Sequence, residues 1–169
     1  GNTVVAKPSE LTPYTAFMLS KLCIEAGLPD GVLNIVHGTG PKAGRAIVAH
    51  DKSKAVSFTG GTATGSEIAS VVAPKFKKLS LELGGKNPNL VFPDCDIELA
   101  VKESAKAAFS NQGQICLCGS RVLVHETIYD EFRSRFLAAV KKLKVGLPHD
   151  PESHLGALVS ESHMNKVLS

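Results

Sequence analysis

The sequence contains no tryptophan, two tyrosines and seven phenylalanines in 169 residues. Its 19 basic and 16 acidic residues are scattered along the chain, so it offers no aromatic and basic surface for stacking single-stranded nucleic acid. We therefore expect no nucleic-acid partner. No apolar run approaches the roughly 20 residues of a membrane helix, so we expect no membrane segment either.

Cysteine is also sparse, with four residues: Cys23, Cys95, Cys116 and Cys118. Their spacing is not the dense pattern of a small disulfide-linked secreted domain, which favours a reducing compartment, and we expect the cytoplasm. Cys116 and Cys118 flank a single leucine, but no second cysteine pair or histidine pair at zinc spacing accompanies them. We therefore expect no metal site.

Short β-branched segments alternate with longer helical segments along the chain, as in successive β-α-β units. The first helix is predicted from Thr12, as its N-cap, to Ala26, because Pro13 suits the first helical position. Successive units with short links imply an α/β fold with a parallel sheet and helices on both faces. Strands are predicted at 3–6, 32–36, 55–58, 78–83, 89–92 and 121–124, and further helices at 43–50, 63–72, from Asp94 or Asp96 to 109, and 129–144.

Two glycine-rich turns connect a predicted strand to a predicted helix. The segment from Gly38 to Gly44 has the position of a dinucleotide-binding loop, but its glycine spacing is one residue too long, so an ordinary turn is favoured. The segment Thr59-Gly60-Gly61-Thr62 suits close backbone approach to a phosphate at a helix N-terminus, although a plain tight turn has the same composition. Gly60 and Gly61 are therefore candidate cofactor-binding residues.

Glu10 follows the first predicted strand and is a second candidate for cofactor binding. A carboxylate at this place can accept hydrogen bonds from both hydroxyls of a ribose and would repel a 2′-phosphate, which favours NAD over NADP. Taken alone, an exposed glutamate after a strand is more often a plain surface residue.

Two further residues are candidates for catalysis. Glu82 stands between two leucines, which would desolvate its carboxylate and strengthen it as a base, whereas strand alternation alone favours a solvent-facing side chain. Cys116 lies on a glycine-containing link between a helix and a strand, where loop N–H groups can stabilise a thiolate and later an oxyanion. Cys118 could serve equally, and either thiol could instead be a small buried apolar residue.

Five segments together resemble the aldehyde dehydrogenase superfamily. They stand in the order and at the spacing of that family, over essentially the whole chain. Gly61 departs from the pattern, because many members have serine there, and this leaves the backbone alone to contact the pyrophosphate. The five segments are Lys7-Pro-Ser-Glu10, Gly27-Leu-Pro-Asp-Gly-Val-Leu-Asn34, Phe58-Thr-Gly-Gly-Thr-Ala-Thr-Gly65, Leu81-Glu-Leu-Gly-Gly-Lys-Asn-Pro88 and Asn111-Gln-Gly-Gln-Ile-Cys116.

This resemblance implies two domains and a nucleotide cofactor. Residues 1–84 would be the later part of a Rossmann-like NAD-binding domain, with a partial parallel sheet and flanking helices. Residues 85–169 would be the first part of a second α/β domain, the catalytic one. The cofactor residues that the resemblance implies are Lys7 and Glu10 at the adenine ribose, Gly60 and Gly61 beside the pyrophosphate, and Leu83.

The resemblance also implies a chemistry. Cys116 would be the nucleophile that attacks an aldehyde to give a thiohemiacetal, whose oxyanion the Cys116 N–H partly stabilises. After hydride transfer to NAD, Glu82 would activate the water that hydrolyses the resulting thioester to a carboxylic acid. Cys118 matches no catalytic position.

The substrate is implied less narrowly than the chemistry. Around the nucleophile, Ile115-Cys-Leu-Cys118 resembles the branch acting on 2-aminomuconic or 2-hydroxymuconic semialdehyde, with betaine-aldehyde-like and general aliphatic enzymes as alternatives. A small-molecule aldehyde and a homo-oligomeric full-length parent are implied in each case. Two other functions stay open: a truncated nucleotide-binding module without catalysis, and a relative that acylates coenzyme A, of a kind that usually lacks the glutamate present here as Glu82.

The resemblance further predicts that the chain alone has little or no dehydrogenase activity. Family members are well over twice as long, and both the asparagine that completes their oxyanion hole and their Glu-x-Phe segment for the nicotinamide ribose fall outside these residues. Loss of one oxyanion donor removes about 2.7–4 kcal/mol of transition-state stabilisation. With a panel of aldehydes, NADH formation by the purified 169-residue chain is expected to stay at background. Robust turnover would overturn this prediction.

Overall fold

A computed structural model describes residues 1–169, which form two compact units, Gly1–Leu83 and Gly84–Ser169. The sequence places the boundary one residue later, after Gly84. The assignment of a cofactor-binding role to the first unit and a catalytic role to the second remains a prediction.

The first unit contains two parallel strand pairs, each joined by a helical crossover. Strand β1 pairs with β2, and β3 pairs with β4 over six residues on each strand. A single π-helical turn, Gly40–Gly44, leads directly into the second helix. The elements are β1 Val4–Ala6, α1 Tyr14–Glu25, β2 Leu33–Ile35, α2 Arg45–Ala49, β3 Ala55–Gly60, α3 Thr62–Val72 and β4 Lys78–Leu83.

The second unit repeats the β-α-β arrangement once and then continues with helices. Strand β5 pairs in parallel with β6, and α4 is the crossover between them. None of the helices in either unit combines the length and apolar character needed to cross a membrane. The elements are β5 Pro88–Val91, α4 Ile97–Phe109, β6 Arg121–Val124, α5 Tyr129–Val140 and α6 Glu161–Leu168.

The predicted α/β architecture with parallel strands and flanking helices is confirmed, with one difference. The strands form three separate two-stranded sheets and not one continuous sheet. At β1 the outer residues Val4 and Val5 are about half exposed, at 48% and 50%. Each pair is joined through its own crossover helix, because a parallel pair cannot be closed by a tight turn.

Two helix ends differ from the prediction for local reasons. Thr12 does not cap α1, because the helix begins one residue later than predicted, at Tyr14, with Pro13 at the N-cap position and no side-chain cap. Helix α5 ends at Val140 and not at Lys144, since the N–H groups of Lys142 and Leu143 bond to carbonyls three residues back. Of the two predicted caps for α4, Asp96 is the one used: its carboxylate accepts from the N–H groups of Glu98 and Leu99 at 3.0 and 3.1 Å.

The second unit has a small apolar core between its strand pair and two helices. Val91, Val101 and Phe132 are its buried members, with Phe132 only 2% exposed. The Phe132 ring stacks on Phe136 one turn later, with ring centroids 5.7 Å apart. Apolar side chains spaced three and four residues apart on α4 and α5 thus pack against the inward side of β5 and β6. This packing holds the two strands in place.

Truncation of the central ring of this core is expected to destabilise the second unit. Phe132→Ala should lower the free energy of unfolding by about 3–5 kcal/mol, because it removes a fully buried ring and leaves a cavity. Phe92→Ala, at a ring that is 56% exposed in the same unit, is the matched control and should cost much less. Chemical denaturation followed by circular dichroism measures both, and equal losses would contradict the packing described here.

Candidate functional site

The carboxyl ends of β3 and β4 lie side by side at one edge of the first unit. In the parallel register, Thr59 is opposite Glu82 and Gly60 is opposite Leu83. Ligands of open α/β sheets bind at the carboxyl ends of the strands. Three of the predicted site residues, Gly60, Glu82 and Leu83, therefore share this edge.

The turn after β3 exposes the N-terminus of α3. Gly61 occupies the N-cap position with an extended backbone (φ −77°, ψ 148°), and no side chain caps the helix. A Cβ atom at Gly61 would meet nothing within 4 Å, so the space in front of this helix end is open. Uncapped N–H groups at the start of an 11-residue helix suit an anionic group such as a pyrophosphate.

Gly65 brings α3 close to the end of β4, a role that the sequence analysis missed. Gly65 is buried, and a Cβ atom there would lie 2.8 Å from Cδ2 of Leu83. Any larger residue would force the Leu83 side chain to shift. The signal was present in the sequence, since the last glycine of a nucleotide-binding turn commonly permits close packing of helix on strand.

Glu82 lies on the solvent-facing side of β4. Its neighbours Leu81 and Leu83 are partly buried on the opposite side, because successive strand residues point to opposite faces. The expectation that the two leucines desolvate its carboxylate is therefore wrong, and the solvent-facing alternative is what the structure shows. Its role as a base remains a prediction.

Lys7 and Glu10 meet just after β1, and their role at an adenine ribose remains a prediction. Lys7 Nζ lies 3.4 Å from Glu10 Oε2 and also donates to the carbonyl oxygens of Pro8 at 2.5 Å and Gly38 at 3.2 Å. Lys7 is mostly buried, with 15% of its side chain exposed, whereas Glu10 is 48% exposed. Lys7 is thus fixed by carbonyls, and the carboxylate of Glu10 faces solvent.

The pKa of Glu10 is held below its usual range. The larger cause is a hydrogen bond from the Glu10 backbone N–H, and the hydrogen bond from Lys7 lowers the pKa further. Glu10 is therefore a carboxylate at neutral pH, which can only accept hydrogen bonds. Hydroxyl groups are suitable partners for it, and a phosphate is not.

Three N–H groups of the Gly38–Gly44 loop are used within the loop itself. The N–H groups of Lys42, Ala43 and Gly44 all donate to the Thr39 carbonyl, at 3.3, 3.0 and 3.3 Å. The loop instead supports Lys7, whose Cε would lie 3.6 Å from a Cβ atom at Gly44. This geometry favours the ordinary-turn interpretation over direct phosphate binding.

Cys116 lies in the second unit, at the tip of an exposed turn. The turn is closed by a hydrogen bond from the Cys118 N–H to the Ile115 carbonyl at 3.1 Å. Cys116 is exposed, and its own N–H makes no hydrogen bond within the chain. The thiol and this N–H are therefore both available to a small molecule.

Three consecutive left-handed residues lead into this turn. Asn111, Gln112 and Gly113 have φ values of 50°, 57° and 74°. Non-glycine residues rarely adopt this conformation, and such backbone strain is concentrated at functional sites. The chain reverses direction here between α4 and the turn that carries Cys116.

Cys118 differs sharply from Cys116 in accessibility. Cys118 is only 7% exposed, and its Sγ lies 3.9 Å from the Ser110 carbonyl oxygen. The structure thus gives Cys118 the small, buried apolar environment that the sequence left open for either thiol. All four cysteines are free thiols, and no group of three or more metal-binding side chains is close enough to hold an ion.

Asn87 bonds to the turn from the other side, a contact that sequence reasoning missed. Its Nδ2 donates to the carbonyl oxygens of Cys116 at 2.6 Å and Cys118 at 3.2 Å. Its own carbonyl accepts from the N–H of Arg121 at 3.2 Å. The only signal in the sequence is an amide side chain directly after Gly84-Gly85-Lys86.

Comparison with known proteins gives consistent matches. The model of the "Aldehyde dehydrogenase family" matches residues 1–169. The 2-aminomuconic semialdehyde dehydrogenase of Mus musculus is 52% identical over all 169 residues, and the 2-hydroxymuconic semialdehyde dehydrogenase of Pseudomonas sp. strain CF600 is 45% identical over 170 aligned positions. The chain covers 35% of each of these proteins, about a third of their length.

A solved structure agrees with these matches. The betaine aldehyde dehydrogenase of Staphylococcus aureus, determined in complex with NAD+, superposes with a TM-score of 0.94 at 40% identity. The match covers 98% of this chain and 33% of that one.

Removal of the Lys7 charge is expected to raise the pKa of Glu10. Lys7→Met should raise it only part of the way to its usual range, because the backbone hydrogen bond remains. The pKa of Glu10 is lower in the folded protein than in the unfolded chain, so its carboxylate contributes to stability at pH values above the unfolded pKa. This contribution is lost as the pH falls through the folded pKa. Lys7→Met should bring the two pKa values closer and so narrow the pH range over which the contribution is lost. Carboxyl NMR titration measures the shift, with Lys42→Met as the control; an unchanged pKa in Lys7→Met would exclude the ion pair.

Proposed function

Because the chain belongs to the aldehyde dehydrogenase family, we propose that it carries the nucleophile, the general base and part of the cofactor site of an NAD-dependent enzyme that oxidises an aldehyde to a carboxylic acid. The observation that carries the proposal is the exposed Cys116 thiol beside its own free N–H, at the tip of a fixed turn. Cys118, two residues away, is buried and is assigned no chemical role.

The residues of the first unit fit an NAD molecule. The Glu10 carboxylate would accept hydrogen bonds from the adenine ribose hydroxyls and disfavour a 2′-phosphate, while Lys7 orients it. The uncapped start of α3, with Gly60 and Gly61, would hold the pyrophosphate through backbone N–H groups. Leu83 would provide an apolar contact at the same edge. When bound, NAD supplies the hydride acceptor of the reaction.

Cys116 would form and release the covalent intermediate. Its Sγ, as thiolate, bonds to the aldehyde carbon, and the former carbonyl oxygen becomes an oxyanion. The free Cys116 N–H donates a hydrogen bond to this oxyanion. Once the carbon has lost its hydride, a thioester joins Cys116 to the acyl group.

Glu82 would complete the cycle by activating water. Its carboxylate takes a proton from a water molecule, whose oxygen bonds to the thioester carbon as the C–S bond breaks. The products are a carboxylic acid and the Cys116 thiolate, and the proton held by Glu82 passes to solvent. The solvent-facing position of Glu82 gives its carboxylate ready contact with water. Its presence also favours hydrolysis over acyl transfer to coenzyme A.

We propose a semialdehyde as the substrate class. The support is the 52% identity to a mouse protein named 2-aminomuconic semialdehyde dehydrogenase. Ile115 and Leu117, on either side of the nucleophile, are 40% and 81% exposed. Both would offer apolar surface to the carbon chain of an aldehyde.

Assembly and compartment are proposed on separate grounds. Helix α1 exposes Phe17, Met18 and Leu22 by 40%, 38% and 56%, and burial of such side chains against another copy supports a homo-oligomer. Four free thiols and no disulfide support a reducing compartment such as the cytoplasm.

The test is NADH formation by a protein that contains these residues within a chain of the relatives' length, assayed with a panel of semialdehydes and aldehydes. Cys116→Ser should lower kcat by at least about a thousandfold, because a serine hydroxyl at this position is not activated as a nucleophile. Cys118→Ser and Cys95→Ser are the control variants and should retain activity within about tenfold. Equal losses for Cys116→Ser and Cys118→Ser, or no activity in the parent, would favour the nucleotide-binding module without catalysis.

A further inference from the structure

We propose that Asn87 is a positioning residue for the nucleophile turn, defined as Ile115–Cys118. The inference rests on the proposed function of Cys116. The two hydrogen bonds from Asn87 Nδ2, to the carbonyls of Cys116 and Cys118, are named here the Asn87 bridge. Asn87 touches neither the thiol nor any reacting atom, so its effect on the chemistry is exerted through the backbone of the turn.

The Asn87 bridge uses the full donor capacity of one amide group. A side-chain NH2 has two hydrogens, and each is directed at one carbonyl of the turn. The carbonyl of Cys116 has no other hydrogen-bond donor, whereas that of Cys118 also accepts from the Ser120 N–H at 2.9 Å. Without Asn87, the Cys116 carbonyl would lose its only partner in the protein, and its peptide plane would be free to rotate.

The bridge connects the turn to a rigid part of the second unit. The Asn87 carbonyl accepts from the Arg121 N–H at the start of β6, and Asn87 directly precedes β5. The orientation of the amide is therefore set by the paired strands and not by the turn itself. Asn87 transmits the position of the β5 and β6 pair to the backbone of Cys116.

The orientation of this backbone matters for the proposed chemistry. The Cys116 N–H stabilises an oxyanion only when it points at the place where negative charge develops, and a tilted donor loses most of this effect. The Cys116 N–H belongs to the Ile115–Cys116 peptide, whose carbonyl accepts from the Cys118 N–H. Asn87 holds the peptide on the other side of Cys116 and the carbonyl of Cys118, so its two bonds keep Cys118 in place to hold the Ile115 carbonyl.

The test compares Asn87→Ala and Asn87→Asp with the unaltered 169-residue chain. Asn87→Asp keeps the shape of the side chain but removes both hydrogen-bond donors. Asn87→Ala removes the donors without adding a charge, so an effect shared by both variants is not caused by charge repulsion. Asn89→Ala is the matched control, because it removes another amide of the same segment, which donates to Ser104 Oγ at 2.8 Å and makes no hydrogen bond to the turn.

Two readouts separate positioning from a purely structural role. The first is hydrogen exchange of the Cys118 N–H, which should become roughly tenfold faster in both Asn87 variants and stay unchanged in Asn89→Ala. The second is the iodoacetamide alkylation rate of Cys116 relative to the exposed Cys95, between about pH 6 and 9. This ratio should fall toward one in the Asn87 variants, because the oriented N–H groups no longer favour the thiolate. A merely structural role would leave an exposed thiol as reactive as before or more so.

The outcomes distinguish this inference from the proposed function. If Cys116 reacts no faster than Cys95 in the unaltered chain, the proposed function fails, whatever Asn87 does. If Cys116 is selectively reactive and the Asn87 variants change neither the exchange rate nor the ratio, the positioning role is overturned. Faster exchange together with an unchanged ratio also overturns it, because the bridge would then be structural only.

Discussion

Parallel pairing of neighbouring strands is the constraint on which the rest of this structure depends. A parallel pair cannot be closed by a tight hairpin, so each pair requires a crossover helix and two loops. The pairing of β3 with β4 brings the turn after β3 and the end of β4 to one edge, where Gly60 and Glu82 lie. The pairing of β5 with β6 brings Asn87 next to Arg121 in the same way.

The same constraint explains why the chemically interesting residues lie on loops. The segment between α4 and β6 must reverse direction over a few residues, and it does so through left-handed backbone and a tight turn. Backbone N–H groups in such a segment do not take part in the hydrogen bonds of a helix or a sheet. The Cys116 N–H is free for this reason, and rigidity has to come from side chains such as Asn87.

Periodicity and turn composition predicted the elements well, because both are local properties. The alternation of β4, the position of its solvent-facing Glu82 and the Asp96 cap of α4 follow from residues close in the chain. Composition also indicated the turn that places Gly60 and Gly61 before α3. The family motifs assigned Lys7 and Glu10 to one site, and these two side chains are in contact.

The remaining features depend on contacts between residues distant in the chain, to which periodicity is insensitive. Asn87 reaches a carbonyl 29 residues away, and Gly65 accommodates the side chain of Leu83. The difference in accessibility between Cys116 and Cys118 also follows from tertiary packing, since Cys118 lies against the end of α4. The difference at Thr12 is instead local: α1 begins at Tyr14, and Pro13 takes the N-cap position.

The left-handed segment Asn111-Gln112-Gly113 limits which sequences can occupy this part of the surface. Exposed positions generally accept many residue types, but a β-branched side chain at φ near 50° clashes with its own backbone. A Cβ atom at Gly113 would in addition lie 3.3 Å from the Ala108 carbonyl oxygen. The segment that leads to Cys116 should therefore accept few amino-acid types, mainly glycine and residues with amide side chains, although much of this segment is exposed to solvent.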